Sequence, residues 1–231
     1  MPQLPDRFQA RVIGATGAIG AAFTERLRRD ARCAEALSLG RGTHPALDYS
    51  QEDSIAQAAQ ALRGRAPFHL IVVATGVLHT ATALPEKRLA DLSLAGMQQI
   101  FQANTFGPAL VLRHFAPLLH RESSVMALLS ARVGSIGDNR LGGWYSYRAS
   151  KAALNMLVRT AAIEQRRTHP GAVLVALHPG TVKSALSRPF RGDEIGQAPG
   201  DAVERMLQVL QALGPQDSGC FVAHDGTRVP W

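Results

Sequence analysis

The chain has 231 residues, of which 46% are hydrophobic and 19% are charged. This length is typical of one α/β domain, and the composition excludes a disordered chain, so we expect a single domain over residues 1–231. The formal net charge of +7 would favour nucleic-acid binding if the basic residues were gathered on one face. They are scattered along the chain without interleaved aromatic residues, and we expect no nucleic-acid partner.

Neither membrane insertion nor metal binding is indicated by the sequence. The longest apolar stretch, over 70–78, is far shorter than the ~20 residues of a membrane-spanning helix. Residues 1–9 contain two prolines and charges of both signs instead of a secretory signal, which favours a cytoplasmic protein. Cys33 and Cys220 lie far apart, and neither they nor the histidines have the spacing of a metal site.

Short apolar runs alternate along the chain with stretches of helical periodicity, which predicts alternating strands and helices. About seven strands are expected, at 10–13, 36–39, 46–48, 69–74, 124–129, 172–177 and 220–223. Helices are expected at 18–29, 54–63, 96–119, 145–167 and 201–213, with Ser54 as an N-cap and a kink or break near Pro108. The order predicts a doubly wound, Rossmann-type α/β fold, a parallel sheet with helices on both faces, whose ligands bind at the carboxyl ends of the strands.

A glycine-rich turn lies directly between the first strand and the first helix. Its sequence is Gly14-Ala15-Thr16-Gly17-Ala18-Ile19-Gly20. Glycine permits a tight turn and lets backbone N–H groups approach a pyrophosphate, whose charge the helix N-terminus favours. The alternative is an ordinary strand-to-helix loop, but the position within the first βαβ unit favours dinucleotide binding.

The residue after the second strand indicates which dinucleotide is bound. An NAD site usually has an acidic residue there, and this chain has Gly40 followed by Arg41. A guanidinium can pair with a 2′-phosphate, so we expect NADP(H) to be preferred over NAD(H). The alternative is a solvated arginine in a turn.

Tyr147 and Lys151 begin the helix predicted at 145–167, and a spacing of four places both side chains on one face. A free phenol has a pKa of about 10, and an adjacent ammonium favours the phenolate, which would make Tyr147 a general acid and base. The alternative is a surface tyrosine under a lysine stem. Trp144 and Tyr145 crowd the same turn after two glycines, which favours a site over a surface.

These features together resemble the short-chain dehydrogenase/reductase family. The resemblance extends from Gly14 to the C-terminus and includes the glycine turn, Asp48, Asn104, the Tyr147 to Lys151 pair and Pro179-Gly180. The stretches 132–140 and 143–155 resemble the C-factor branch, which is similar to the Sniffer carbonyl reductases.

The resemblance implies that Tyr147 passes a proton to a carbonyl oxygen while a nicotinamide delivers hydride to its carbon. Lys151 would hold the nicotinamide ribose and lower the tyrosine pKa, Asn104 would link Lys151 to solvent, and Asp48 would contact the adenine. Without the resemblance, the sequence around Asn104 fits a helix-breaking polar residue as well as it fits a functional one. The full set of implied cofactor contacts is Gly14, Thr16, Gly17, Ala18, Ile19, Gly20, Arg41, Asp48, Ala74, Thr75, Gly76, Lys151, Pro179, Gly180 and Val182.

Three positions depart from the family pattern. Ala18 replaces a glycine of the commoner turn, and Ala74-Thr75 replaces an asparagine. Ala131 stands where the catalytic serine is usual, so Ser130 and Ser135 are the candidate hydroxyls. Ser130 reaches the site if the strand has ended or bulged before it, because neighbouring strand residues face opposite sides.

The sequence therefore favours an enzyme that reduces a ketone or aldehyde with NADPH, or runs the reverse oxidation. The alternative is an NADP-binding sensor or C-factor-like signalling protein with weak or no turnover. An irregular arm over 183–199 would cover the small-molecule substrate. The resemblance also implies a homodimer or homotetramer formed through the helices predicted at 96–119 and 145–167.

Overall fold

The computed structural model describes residues 4–80 and 84–231. Six parallel strands form one sheet in the order β2-β1-β3-β4-β5-β6. The strands are β1 Phe8–Ile13, β2 Cys33–Leu39, β3 Leu70–Val73, β4 Ser124–Leu129, β5 Ala172–His178 and β6 Cys220–Ala223. The helices are α1 Ala18–Arg28, α2 Glu52–Leu62, α3 Leu94–Phe101, α4 Gly107–Phe115, α5 Tyr145–Gln165, α6 Gly192–Ile195 and α7 Pro199–Ala212.

The central strands β3, β4 and β5 are buried on both faces of the sheet, which explains why they are apolar at successive positions. In β3, Ile71 and Val73 belong to one core cluster, while Leu70 and Val72 belong to another on the opposite face. The first cluster includes buried residues of α2, α4 and α5, and the second includes those of α1 and α7. The predicted Rossmann-type arrangement of helices on both faces of a parallel sheet is therefore confirmed.

The prediction of a strand at 46–48 is wrong, so the sheet has six strands and not seven. The backbone N–H groups of this segment form hydrogen bonds within the loop before α2. Leu47 N donates to Gly40 O at 3.0 Å, and Asp48 N donates to Ser54 Oγ at 3.0 Å. Ser54 is consequently not the N-cap of α2, which begins at Glu52.

The long helical stretch is interrupted just before Pro108. Between α3 and α4 lies a π-helical turn over Gln102–Phe106. Proline has no N–H for the helical ladder, and its ring clashes with the carbonyl four residues earlier, so the predicted break is confirmed at this place. The wide turn contains Asn104 and Thr105, both buried, and Thr105 Oγ1 donates to Ser150 O of α5 at 2.9 Å.

Among the described residues, none of the helices has the length and apolar character needed to cross a bilayer. The same part of the chain contains no group of three or more His, Cys, Asp or Glu side chains placed to hold a metal ion.

Candidate active site

A cleft of about 710 Å³ opens at the carboxyl ends of β1, β2 and β3, the edge at which ligands were predicted. It is lined by the loops that follow these three strands and by α3 and the π-helical turn. Of the expected cofactor contacts, the following line it: Gly14, Thr16, Gly17, Arg41, Asp48, Ala74, Thr75 and Gly76.

The glycine turn brings the backbone of β1 against the start of α1. Gly14 has φ of +87°, and a Cβ placed on it would lie 2.7 Å from Thr75 Cγ2. A Cβ on Gly20 would collide with the carbonyl oxygen of Gly14. Gly17 is the N-cap of α1, and no described side chain caps this helix, so its first N–H groups are directed at the cleft edge.

The part of the cleft that is formed by the loop after β2 contains a cation and an anion. Arg41 is exposed there, one residue after Gly40. Asp48 Oδ1 accepts from Ser50 N and from Ser50 Oγ, both at 2.9 Å. These bonds, and more weakly the charge of Arg41, hold the pKa of Asp48 below its ordinary value. Asp48 is therefore ionised at neutral pH beside the guanidinium.

Tyr147 and Lys151 lie in the first two turns of α5 and are both buried. Lys151 is 2% exposed, and its Nζ donates to Leu129 O at 2.8 Å and lies 5.9 Å from the centroid of the Tyr147 ring. Burial lowers the pKa of Lys151 to about 7. Burial also raises the pKa of Tyr147 above its ordinary value, which is opposite to the direction expected from a neighbouring cation. Burial of the phenol is the cause of this shift, because desolvation disfavours the charged phenolate.

Asn104 holds the loop after β3 beside Lys151. Its Oδ1 accepts from Val77 N and its Nδ2 donates to Val77 O, both at 2.8 Å, and Nδ2 also donates to Ser150 Oγ at 3.1 Å. A Cβ on Gly76 would lie 3.4 Å from Lys151 Nζ and 3.5 Å from Asn104 Oδ1. The cleft residue Gly76 thus lies directly against the two polar side chains.

Ser130 lies one residue beyond the end of β4, which satisfies the condition for reaching the site. It lines a second pocket together with Ala131 and Tyr147, and its Oγ donates to Asn155 Oδ1 at 2.6 Å. Ser135 is buried elsewhere, where its Oγ accepts from Asp138 N at 3.1 Å. Of the two candidate hydroxyls, the structure brings Ser130 to the pocket.

The second pocket, of about 300 Å³, is lined by Ile19 of α1, by the loop that follows β4 and by the segment that follows β5. Four expected cofactor contacts line it, namely Ile19, Pro179, Gly180 and Val182. The arm beyond β5 contributes Phe190, the loop before α5 contributes Trp144, and α5 contributes Tyr147. Ala18, Gly20 and Lys151 line neither cavity; Gly20 serves the packing of α1 against the turn, and Lys151 is buried beside Gly76.

Two residues of the site were missed by the sequence analysis. Tyr49 follows Asp48 and is half-buried, and its hydroxyl lies 2.9 Å from Thr75 Oγ1, which joins the loops after β2 and β3. Nothing in the sequence indicates this contact. Asn155 follows Lys151 by four residues, and the same one-face spacing that selected Tyr147 and Lys151 would have selected it.

Comparison with known proteins agrees with this geometry. A family model described as adh_short_C2, Enoyl-(Acyl carrier protein) reductase, matches residues 10–213. The C-signal of Myxococcus xanthus is 41% identical over 145 residues, which is 62% of this chain and 83% of that protein. The 1-hydroxy-2-glutathionyl-2-methyl-3-butene dehydrogenase of Rhodococcus sp. (strain AD45) is 30% identical over 198 residues, covering 86% of this chain and 84% of that one.

Among solved structures, the NADPH-bound carbonyl reductase from chicken fatty liver is similar with a TM-score of 0.83 and 26% identity. The match covers 99% of this chain and 100% of that chain. Since the family model spans most of the sequence and the fold agrees over nearly all of it, the chain belongs to the short-chain dehydrogenase/reductase family of oxidoreductases.

Proposed function

We propose that this protein is an NADP(H)-dependent oxidoreductase that reduces a ketone or aldehyde to an alcohol, or runs the reverse reaction. The observation that carries the proposal is the placement of Tyr147, which lines the second pocket, and of Lys151, which is buried beside Gly76 of the glycine-lined cleft. A cofactor in the cleft and a carbonyl compound in the pocket would meet at the tyrosine hydroxyl.

The cleft fits a dinucleotide because the glycine turn brings its backbone and the start of α1 to the cleft edge. Gly14 and Gly20 keep this turn tight, since Cβ atoms there would collide with Thr75 and with Gly14 O, and the open N-terminus of α1 favours a pyrophosphate held by Thr16, Gly17, Ala18 and Ile19. Asp48 would contact the adenine. The nicotinamide end would lie along Ala74, Thr75 and Gly76 and against Pro179, Gly180 and Val182. When bound, the nicotinamide supplies or accepts the hydride.

Arg41 supports NADP(H) over NAD(H). Its guanidinium is exposed at the cleft and enters none of the ion pairs found among the described residues. Gly40 leaves no carboxylate at the end of β2 to repel a 2′-phosphate. A bidentate pair between Arg41 and that phosphate is the contact we propose for cofactor selection.

The proton chemistry belongs to Tyr147 and Lys151. The raised pKa of Tyr147 keeps the phenol protonated, so that it donates its proton to the oxygen of a reduced carbonyl. Lys151 in its charged form would stabilise the phenolate that remains and contact the ribose. Asn104 acts through the loop that it holds, because its amide is bonded to Val77 and so keeps Gly76 against the lysine.

Ser130 is the proposed hydrogen-bond donor to the developing oxyanion in place of the usual serine. Its proton is held by Asn155 Oδ1, while Asn155 Nδ2 is buried without a partner among the described residues. Rotation of the Asn155 amide would let Nδ2 donate to Ser130 Oγ and would free the serine proton for a bound oxygen. Asn155 is therefore proposed as the positioning residue of Ser130.

A second candidate function is favoured by the similarity to the C-signal and by Ala131 at the usual serine position. In this case the protein binds NADP(H) as a sensor or signalling protein with weak or no turnover. A spectrophotometric assay of NADPH consumption over a panel of ketones and aldehydes separates the two. Carbonyl-dependent consumption supports the reductase, whereas tight NADPH binding without consumption by any compound supports the sensor.

A further inference from the structure

Trp144 adopts a backbone conformation that tryptophan rarely takes. Its φ and ψ are 54° and 43°, in the left-handed region, and it follows two glycines, Gly142 and Gly143, that are also left-handed. A bulky residue in this region is strained, and such strain persists only where the surroundings fix the backbone.

The surroundings of Trp144 fix it from both sides. Trp144 N donates to Glu86 O at 2.5 Å, and the Glu86 carboxylate accepts from Ser146 N at 3.2 Å. Arg148 Nε donates to Gly143 O at 2.8 Å. These hydrogen bonds therefore fix the backbone of the loop where it meets α5, and the direction of the indole ring is set by contacts outside the pocket.

The strained backbone places the indole against two other rings. The Trp144 centroid lies 4.9 Å from that of Phe190 at an interplanar angle of 61°, and 6.3 Å from that of Tyr147 at 74°. Edge-to-face packing of this kind is the arrangement that aromatic rings prefer. Trp144 and Phe190, which we call the aromatic wall, thus form one side of the pocket next to the proposed proton donor.

The described residues that line the rest of the pocket offer no free charge. Among them Arg132 is the only one with a permanent charge, and its guanidinium is paired with Asp138 at 2.6 Å. The hydroxyl oxygens of Ser184 and Ser187 lie 3.1 Å apart, and Ser187 Oγ donates to Val182 O at 2.6 Å. Burial lowers the pKa of His178 to about 4, which leaves the ring neutral.

We infer that the pocket selects small, uncharged carbonyl compounds that carry an aromatic ring, and that the aromatic wall of Trp144 and Phe190 is the contact that determines this specificity. The pocket volume of about 300 Å³ is at the lower end for ligand sites. Pro179, Gly180 and Val182, which are proposed to contact the nicotinamide, also line this pocket, so the room left suits a substrate with a single ring. This inference rests on the proposed reductase function and names its substrate class.

The test compares three ketones of similar size: phenyl methyl ketone, cyclohexyl methyl ketone and phenylglyoxylate, which adds a carboxylate. We expect kcat/KM with NADPH to be about 3- to 10-fold higher for the phenyl than for the cyclohexyl compound, the range of one aromatic contact, and to be lowest for the anion. In Phe190→Leu the phenyl-to-cyclohexyl ratio falls to about one, whereas Phe190→Tyr, which keeps a ring, retains the ratio. Equal turnover of both neutral ketones by the native chain, or an unchanged ratio in Phe190→Leu, overturns the inference.

A binding measurement separates this inference from the reductase proposal. The chain has two tryptophans, so Trp231→Phe assigns the indole N–H resonance of Trp144. If no carbonyl compound is turned over, the reductase proposal fails. A saturable shift of the Trp144 resonance with phenyl methyl ketone, stronger than with the cyclohexyl compound, still supports the aromatic selectivity of the pocket. The absence of any such difference overturns it.

Discussion

The ammonium nitrogen of Lys151 lies 2.8 Å from the carbonyl oxygen of Leu129, the last residue of β4. This bond draws the lysine side chain out of solvent and across the end of the sheet, under the Tyr147 ring. Burial lowers the pKa of Lys151 in spite of this bond, because one carbonyl oxygen does not replace the full hydration of an ammonium group.

The pH dependence of reduction should follow Lys151. Burial brings the pKa of Lys151 down to about 7, so the side chain is charged below this pH and neutral above it. Because carbonyl reduction consumes a proton and the charged lysine stabilises the phenolate, we predict that kcat for reduction falls as pH rises through about 7.

The control for this pH profile is Lys151→Arg, since arginine stays charged throughout this range. Its profile should lack the decline near neutrality, at a lower absolute rate. A native kcat that stays constant from about pH 6 to about pH 9 would contradict the role given to Lys151.

Removing the Ser130 hydroxyl should slow the chemical step. We predict that Ser130→Ala lowers kcat by about 100-fold with little change in NADPH affinity, because an oxyanion donor contributes mainly in the transition state. Ser135→Ala is the matched control, since that hydroxyl binds Asp138 N away from the pocket. If Ser135→Ala, and not Ser130→Ala, reduced kcat at constant NADPH affinity, the assignment of the hydroxyl would be wrong.

Arg41 should select the cofactor. Arg41→Ala is expected to weaken NADPH binding by about 10- to 100-fold, the range of a charge-assisted pair, while NADH binding changes little. Titration of both nucleotides by calorimetry measures the change. Arg166→Ala, an exposed arginine at the end of α5, should alter neither affinity. An equal loss for NADPH and NADH would refute recognition of the 2′-phosphate by Arg41.

The outer face of the catalytic helix should form a subunit contact. Met156 and Ile163 are 66% and 56% exposed and lie seven residues apart, on one face of α5, and Phe106 beside α4 is 49% exposed. We expect a homodimer or homotetramer by light scattering, and a shift toward the monomer in Met156→Lys. Leu141→Lys, which alters a 92% exposed residue on a loop, should leave the mass unchanged. A native monomer would disprove the prediction.

Features set by local spacing could be read from the sequence, whereas those set by tertiary contacts could not. The glycine turn and the helical break near Pro108 follow from backbone sterics, and Tyr147 and Lys151 share a face because of helical periodicity. The prediction of a strand at 46–48 was wrong because a short apolar stretch does not reveal that its backbone forms hydrogen bonds within its own loop. The prediction that the Tyr147 pKa is lowered was also wrong, since the spacing indicates a neighbouring cation but not how deeply the phenol is buried.

Ser130 shows the same limit within the site. Sequence left two hydroxyls open because the choice depends on where β4 ends, and this end is decided by pairing with β5. Its partner Asn155 comes from the helix that also provides the tyrosine and the lysine, so that one helix face holds three site residues.

The most direct test of the account is the effect of Tyr147→Phe on NADPH-dependent reduction of an aryl ketone that the native chain turns over. Loss of the single hydroxyl removes the proton donor but keeps the ring against Trp144, so kcat should fall by about 100- to 10,000-fold while the dissociation constant for NADPH stays the same. A Tyr147→Phe protein that retains the native kcat would contradict the central claim that the buried phenol delivers the proton.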